Sequence, residues 1–168
     1  SMIDKEWEDA YKNRLKRMSP EAKEIRERAL NDLYFFAKLV NPGYMYGDIH
    51  REVFKWLEDY TLYGSNIIGS SNKLIMLPRA HLKSHMVATC CAWLITRHPE
   101  ITILYISATS TLAELQLYAI KNILTSAPYT RYFPEYVNPQ EAKRETWSAT
   151  SISIDHEKRR REGVRDKT

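Results

Sequence analysis

The sequence predicts an α/β fold of three layers, αβα, with helices on both sides of a mainly parallel central sheet and a helical extension at the N-terminus. Three observations carry that expectation. Residues 101–106, Ile-Thr-Ile-Leu-Tyr-Ile, form a near-continuous β-branched and aromatic run, the pattern of a strand buried on both faces. Leu74-Ile75-Met76-Leu77 is a second, shorter apolar run. Between them, residues 83–96 carry Met86, Val87, Cys90, Cys91, Trp93, Leu94 and Ile95, a helical segment apolar nearly all round, as a helix flanking a parallel sheet can be. Strand, helix and strand make a βαβ unit, right-handed by rule.

The other elements follow from spacing and punctuation. In residues 4–17, Trp7, Tyr11 and Leu15 recur every four positions and define one helical face. Ser19-Pro20 opens a second helix, serine as N-cap and proline in the first turn, which runs to Val40 and is stopped by Asn41-Pro42-Gly43. These helices pack on the core, or the first is an oligomerisation or docking arm. An aromatic loop, Tyr44 to His50, leads into a third helix over 48–60 with Asp48 as N-cap and Val53, Phe54, Trp56 and Leu57 facing the core. Residues 64–72 form a turn-rich connector into the first strand, 73–77. Thr111 and Glu114 have capping-box spacing and open a helix to about 124. Residues 129–144, with Pro134 and Pro139, read as irregular. Residues 147–155 alternate, placing Ile152 and Ile154 on one face of a strand.

Composition sets bounds. The 168 residues suffice for one domain with a real core, and 43% hydrophobic with 27% charged residues is ordinary for a soluble globular protein. No apolar run is long enough to cross a membrane, and the N-terminus lacks a signal-peptide core. Cys90 and Cys91 are adjacent, too close for the usual disulfide geometry, and suit a reducing compartment. The formal charge is +4, and most of it comes from residues 156–168, where six Lys and Arg stand against Glu157, Glu162 and Asp166. Within it, the basic run Lys158 to Arg165 has three readings: a solvated hairpin tip, a contact to DNA phosphate, or an arginine donated to a neighbouring subunit.

The chemistry centres on Pro78-Arg79-Ala80-His81-Leu82-Lys83-Ser84-His85. A strand, a short loop, Lys-Ser and a helix are the layout of a phosphate-binding loop. Unpaired N–H groups at a helix start carry partial positive charge and attract phosphate. Lys83 would reach the terminal phosphates, and the Ser84 hydroxyl would ligate Mg²⁺. The generic pattern G-x-x-x-x-G-K-[ST] places its glycines on Leu77 and Leu82, and neither is glycine here. The alternative is a plain β-turn-α corner with a solvated lysine. His81 and His85 stand four apart, but no glutamate lies between them and Lys83 would repel zinc, so they do not read as a metal pair.

This loop, with its Arg-x-x-x-Lys-Ser frame, resembles the deviant phosphate-binding loop of large terminases, the DNA-packaging ATPases of tailed bacteriophages. The likeness extends over roughly residues 30–160. It implies a P-loop NTPase-type core over 66–168, preceded by a helical segment over 1–65. It implies ATP and Mg²⁺ as ligands, held by Pro78, Arg79, Ala80, His81, Leu82, Lys83, Ser84 and His85, with Ser84 on the metal. Arg79 would act in cis on the γ-phosphate beside Lys83 as the catalytic pair, and Tyr46 and His50 would contact adenine. The implied partners are double-stranded DNA, a portal protein, a small terminase subunit and further copies in a ring, in the host cytoplasm. The family's acidic motif for Mg²⁺ and water has one candidate, Asp155, on a strand of the wrong pattern. The resemblance therefore implies a truncated ATPase domain without its C-terminal nuclease domain, able to bind nucleotide but turning over little alone. Two other readings stay open: a superfamily-2 helicase fragment, from Ser107-Ala108-Thr109, or a non-enzymatic α/β DNA-binding or assembly module with a vestigial loop.

Overall fold

A computed structural model describes residues 4–63, 74–78 and 82–161. Helix α1 (Lys5–Lys16) starts where the Asp4 carboxylate accepts the Trp7 N–H, and its inner face presents Trp7 and Tyr11, edge to face at 4.8 Å. Ser19 caps α2 (Pro20–Asn31) by accepting the Ala22 N–H at 3.1 Å, as the sequence predicts. The single helix expected to run on to Val40 is instead two. Asp32 leaves helical geometry at φ −142°, and its carboxylate accepts the Phe35 N–H to cap α3 (Leu33–Val40). An acceptor side chain at an extended residue ends one helix and starts the next. The order continues with α4 (Asp48–Tyr63), α5 (Lys83–Arg97), α6 (Ser110–Thr125), α7 (Ala127–Tyr132), a 3₁₀ turn (Glu141–Lys143), β1 (Thr146–Trp147), β2 (Ile152–Ser153) and α8 (Glu157–Arg161).

The architecture is mainly helical, and the expected three-layer αβα fold with a parallel central sheet is not what forms. Among the described residues the only sheet is an antiparallel hairpin, β1 with β2, pairing Thr146 with Ser153 and Trp147 with Ile152. The predicted strand over 147–155 is thus a hairpin arm on each side of a turn. The two runs taken for parallel strands, residues 74–77 and 101–106, are in no regular element. Many of their side chains are exposed, Leu74 78%, Met76 79%, Leu104 81% and Ile106 79%, while Ile75 and Leu77 pack on the core. Alternation and β-branching describe a strand that has neighbours, and neither run is paired.

The core is built by helices around α5. It packs on α2, α3, α4 and α6, which explains why it is apolar on all sides without a sheet beside it. Trp93 is fully buried, and its Nε1–H donates to the Ala29 carbonyl of α2 at 3.0 Å. Thr96, also on α5, shares a 2.8 Å hydrogen bond with the Tyr129 hydroxyl, and the Tyr136 hydroxyl donates to the Thr96 carbonyl at 2.6 Å. Residues 129–137 read as irregular from their prolines, yet Tyr129, Phe133, Tyr136 and Val137 close the core against Phe36. Arg26 of α2 clamps this segment by pairing with Glu135 and donating to the Tyr132 carbonyl at 2.7 Å. No described helix is long and apolar enough to cross a membrane.

Candidate functional site

The site suggested by the sequence lies at the amino end of α5. Leu82 is its N-cap and adopts φ 57°, ψ 25°, the only non-glycine residue with positive φ among the described residues. That is left-handed backbone, which a leucine enters at a cost of roughly 1–2 kcal/mol. Leu82 stands where the generic phosphate-loop pattern has its second glycine, so the position keeps a glycine's backbone without a glycine. No side-chain acceptor caps the helix. Its first N–H groups therefore keep their partial positive charge.

Lys83 and Ser84 follow on the first turn, and both side chains are exposed. Gln116 of α6 donates to the Ser84 carbonyl at 2.9 Å and fixes that turn against its neighbour. Nothing in the sequence singles out Gln116. Pro78 is exposed at the end of the first apolar run. Arg79, Ala80 and His81 lie outside the described residues. Neither Lys83 nor Ser84 lines any of the three main cavities found among the described residues.

The aromatic loop lies directly against this helix start. The Tyr44 ring stacks on His85 at 3.8 Å between centroids with the planes 10° apart. The Tyr46 hydroxyl lies 2.6 Å from His85 Nε2. Burial, with a smaller contribution from His50, pushes the His85 imidazole down to about 4, so at neutral pH it is uncharged and accepts a hydrogen bond from the phenol. Burial likewise pushes the Tyr46 phenol up to about 12. The Thr89 hydroxyl donates to the His85 carbonyl at 2.9 Å, and Asn41 Nδ2 donates to that same hydroxyl at 3.1 Å. The loop and the first two turns of α5 are thus joined by side chains. Tyr44 is the residue that sequence reasoning missed, and its Tyr-x-Tyr spacing with Tyr46 was the available signal.

His50, at the start of α4, has its ring 6.0 Å from that of Tyr46. Its Nδ1 accepts the Gly47 N–H at 2.9 Å, which assigns the proton to Nε2. That Nε2 is buried and has no partner among the described residues. A buried donor left unmatched costs about 1–3 kcal/mol, so this N–H beside the Tyr46 ring is suited to an acceptor on a bound group.

Asp155, the weak candidate for a metal carboxylate, has a structural role. It is buried and accepts the N–H groups of Asn138 at 2.9 Å and Glu145 at 3.4 Å. No three His, Cys, Asp or Glu side chains converge as a metal site among the described residues. In the basic run the described residues divide, with Lys158 exposed and Arg159 buried. Arg159 on α8 is buried and donates to Ser153 Oγ at 2.9 Å and to the Ile101 carbonyl at 3.0 Å. Comparison of the chain with protein-family models, with curated proteins and with solved structures found no match.

Proposed function

We propose that the chain binds ATP·Mg²⁺ at the amino end of α5 and serves as the nucleotide-binding part of a DNA-packaging motor of the large-terminase type. The observation that carries this reading is the left-handed Leu82 immediately before Lys83-Ser84. A glycine-like backbone at that one position is what a phosphate loop requires, and a plain helix start does not require it. Lys83 and Ser84 are both open to solvent, and in this reading they meet phosphate oxygens and a phosphate-bound Mg²⁺. The unpartnered His50 Nε2–H, beside the Tyr44–His85–Tyr46 stack, supports an adenine ring on this face of the loop. Duplex DNA, a portal protein, a small subunit and further copies in a ring belong to the same proposal.

Turnover by these residues alone is expected to be low, because the one carboxylate considered for Mg²⁺, Asp155, is satisfied by two backbone N–H groups inside the core. Titration with a fluorescent ATP analogue tests the reading. Wild type binds in the presence of Mg²⁺, and Lys83→Ala weakens binding by at least about tenfold, the loss of one charged contact to phosphate. The helical architecture favours a second reading, a nucleic-acid-binding or assembly module with a vestigial loop. Absence of binding, or equal binding by wild type and Lys83→Ala, establishes that second reading and removes the first.

A further inference from the structure

A second basic feature lies elsewhere on the molecule and shares no residue with the α5 site. Where α1 turns into α2, a cavity of about 390 Å³ is lined by Asn13, Arg14, Arg17, Ser19 and, from α7, Arg131. Three arginines line it, and no carboxylate does. None of the three arginines is in an ion pair among the described residues. Arg14 Nη2 donates to the Thr130 carbonyl at 3.3 Å, and Arg131 lies over the Tyr132 ring at 5.4 Å, which leaves most of their N–H donors uncommitted. Residues 10–20 carry Lys12, Arg14, Lys16 and Arg17 with no Asp or Glu, and the nearest acids in sequence are Asp9 and Glu21. Asp9 is paired with Lys5 at 3.7 Å.

We propose that this cavity is a phosphate site that takes a backbone phosphate of a nucleic acid. The planar fork of arginine matches phosphate oxygens two at a time, and three arginines from two elements line this one cavity. Uncompensated cations in a concavity hold solution counter-ions, and a polyanion that displaces them gains their release. The site is open, since all three arginines are exposed, and the positive charge continues along α1 through Lys16. A small phosphate compound is held by enclosure, whereas a strand of phosphates is held by an open row of cations.

The test uses the full chain without nucleotide and reads fluorescence anisotropy of a labelled duplex of about 20 base pairs across about 50–200 mM salt. The triple variant Arg14→Ala/Arg17→Ala/Arg131→Ala is expected to weaken binding by at least about tenfold and to flatten the log–log salt slope by about 2–3, one unit per lost phosphate contact. A control that removes three exposed cations elsewhere, Lys38→Ala/Arg51→Ala/Lys55→Ala, is expected to stay within about twofold of wild type. Arg17→Ala and Arg131→Ala, whose guanidiniums make no hydrogen bond among the described residues, carry the test singly should the triple variant not fold. No binding by wild type overturns the proposal, as does an equal loss in the control. Inorganic phosphate that displaces the duplex at constant ionic strength also overturns it and assigns the cavity to a free phosphate.

Discussion

Leu82 shows at a single residue how a chain can keep a conformation after losing the side chain that makes it easy. Leucine at φ 57° is strained by roughly 1–2 kcal/mol, yet a flexible Cγ-branched chain tolerates it better than a β-branched one. Leu82→Val is therefore expected to destabilise by about 1–2 kcal/mol in urea unfolding. Leu82→Gly removes the strain but loses a half-buried side chain and adds unfolded-state freedom, so its stability is expected to stay within about 1 kcal/mol of wild type. Its effect appears instead in nucleotide affinity, which is expected to rise several-fold because no side chain crowds the approach of phosphate; unchanged or weaker binding contradicts that placement. Two histidines set a pH dependence. His85 and His156 are each lowered by burial from 6.5 to about 4, His156 further by Lys158, Arg26 and Arg160. Between those values the unfolded chain binds protons that the folded one does not, so stability rises with pH from about 4 to 6.5 and is lost as pH falls through that window. Asp155, raised by burial, acts in the opposite sense at the acid end. Urea midpoints measured from pH 7 to pH 4.5 should fall, and should fall less in His85→Gln/His156→Gln; an equal fall assigns the effect to other groups.

At the scale of elements, the helices were legible and the strands were not, for one physical reason. A helix satisfies its own backbone, so local signals suffice for most of its bounds: the Trp7–Tyr11–Leu15 face and the apolar run of 83–96 each mark an element that forms within a residue or two of its expected bounds, and Ser19 marks a helix start, though the break at Asp32 went unread. A strand is completed only by a neighbour, and a six-residue apolar run carries no information about whether a partner exists. The candidate site was legible in the same proportion. Lys83, Ser84, Tyr46 and His50 carry recognisable chemistry, but the contacts that join them, Tyr44 on His85 and Gln116 on the Ser84 carbonyl, link positions 41 and 32 residues apart and leave no local trace. Helix α5 joins these scales, because its last two turns anchor the core while its first turn forms the site. Trp93→Phe removes the donor to Ala29, leaves that carbonyl buried and unmatched, and opens a small void. It is expected to cost about 2 kcal/mol in urea unfolding while nucleotide affinity stays unchanged. A loss of affinity in a variant that remains folded would show that the helix transmits packing defects to its first turn.

For the whole molecule, the charged and apolar surfaces are unevenly distributed. The helical core buries Trp93, Phe36, Phe54 and Phe133 completely, and from the run at 74–77 only Ile75 and Leu77 pack against it. Those runs leave Leu74, Met76, Leu104 and Ile106 more than three-quarters exposed. Next to the 101–106 run a cavity of about 290 Å³ is lined by Ile95, Ile103, Leu117, Ile120 and Ile152. Exposed β-branched segments without backbone partners are the usual origin of aggregation, and natural proteins blunt such edges with lysine. A dye that fluoresces on apolar surface should therefore bind the folded chain. Leu104→Lys/Ile106→Lys should reduce that signal and raise the concentration at which light scattering begins. Because both side chains already face water, the unfolding free energy should change by no more than about 0.5 kcal/mol. A loss of stability well beyond that value would mean that the 101–106 run is packed in solution, and that the helices alone do not account for the core.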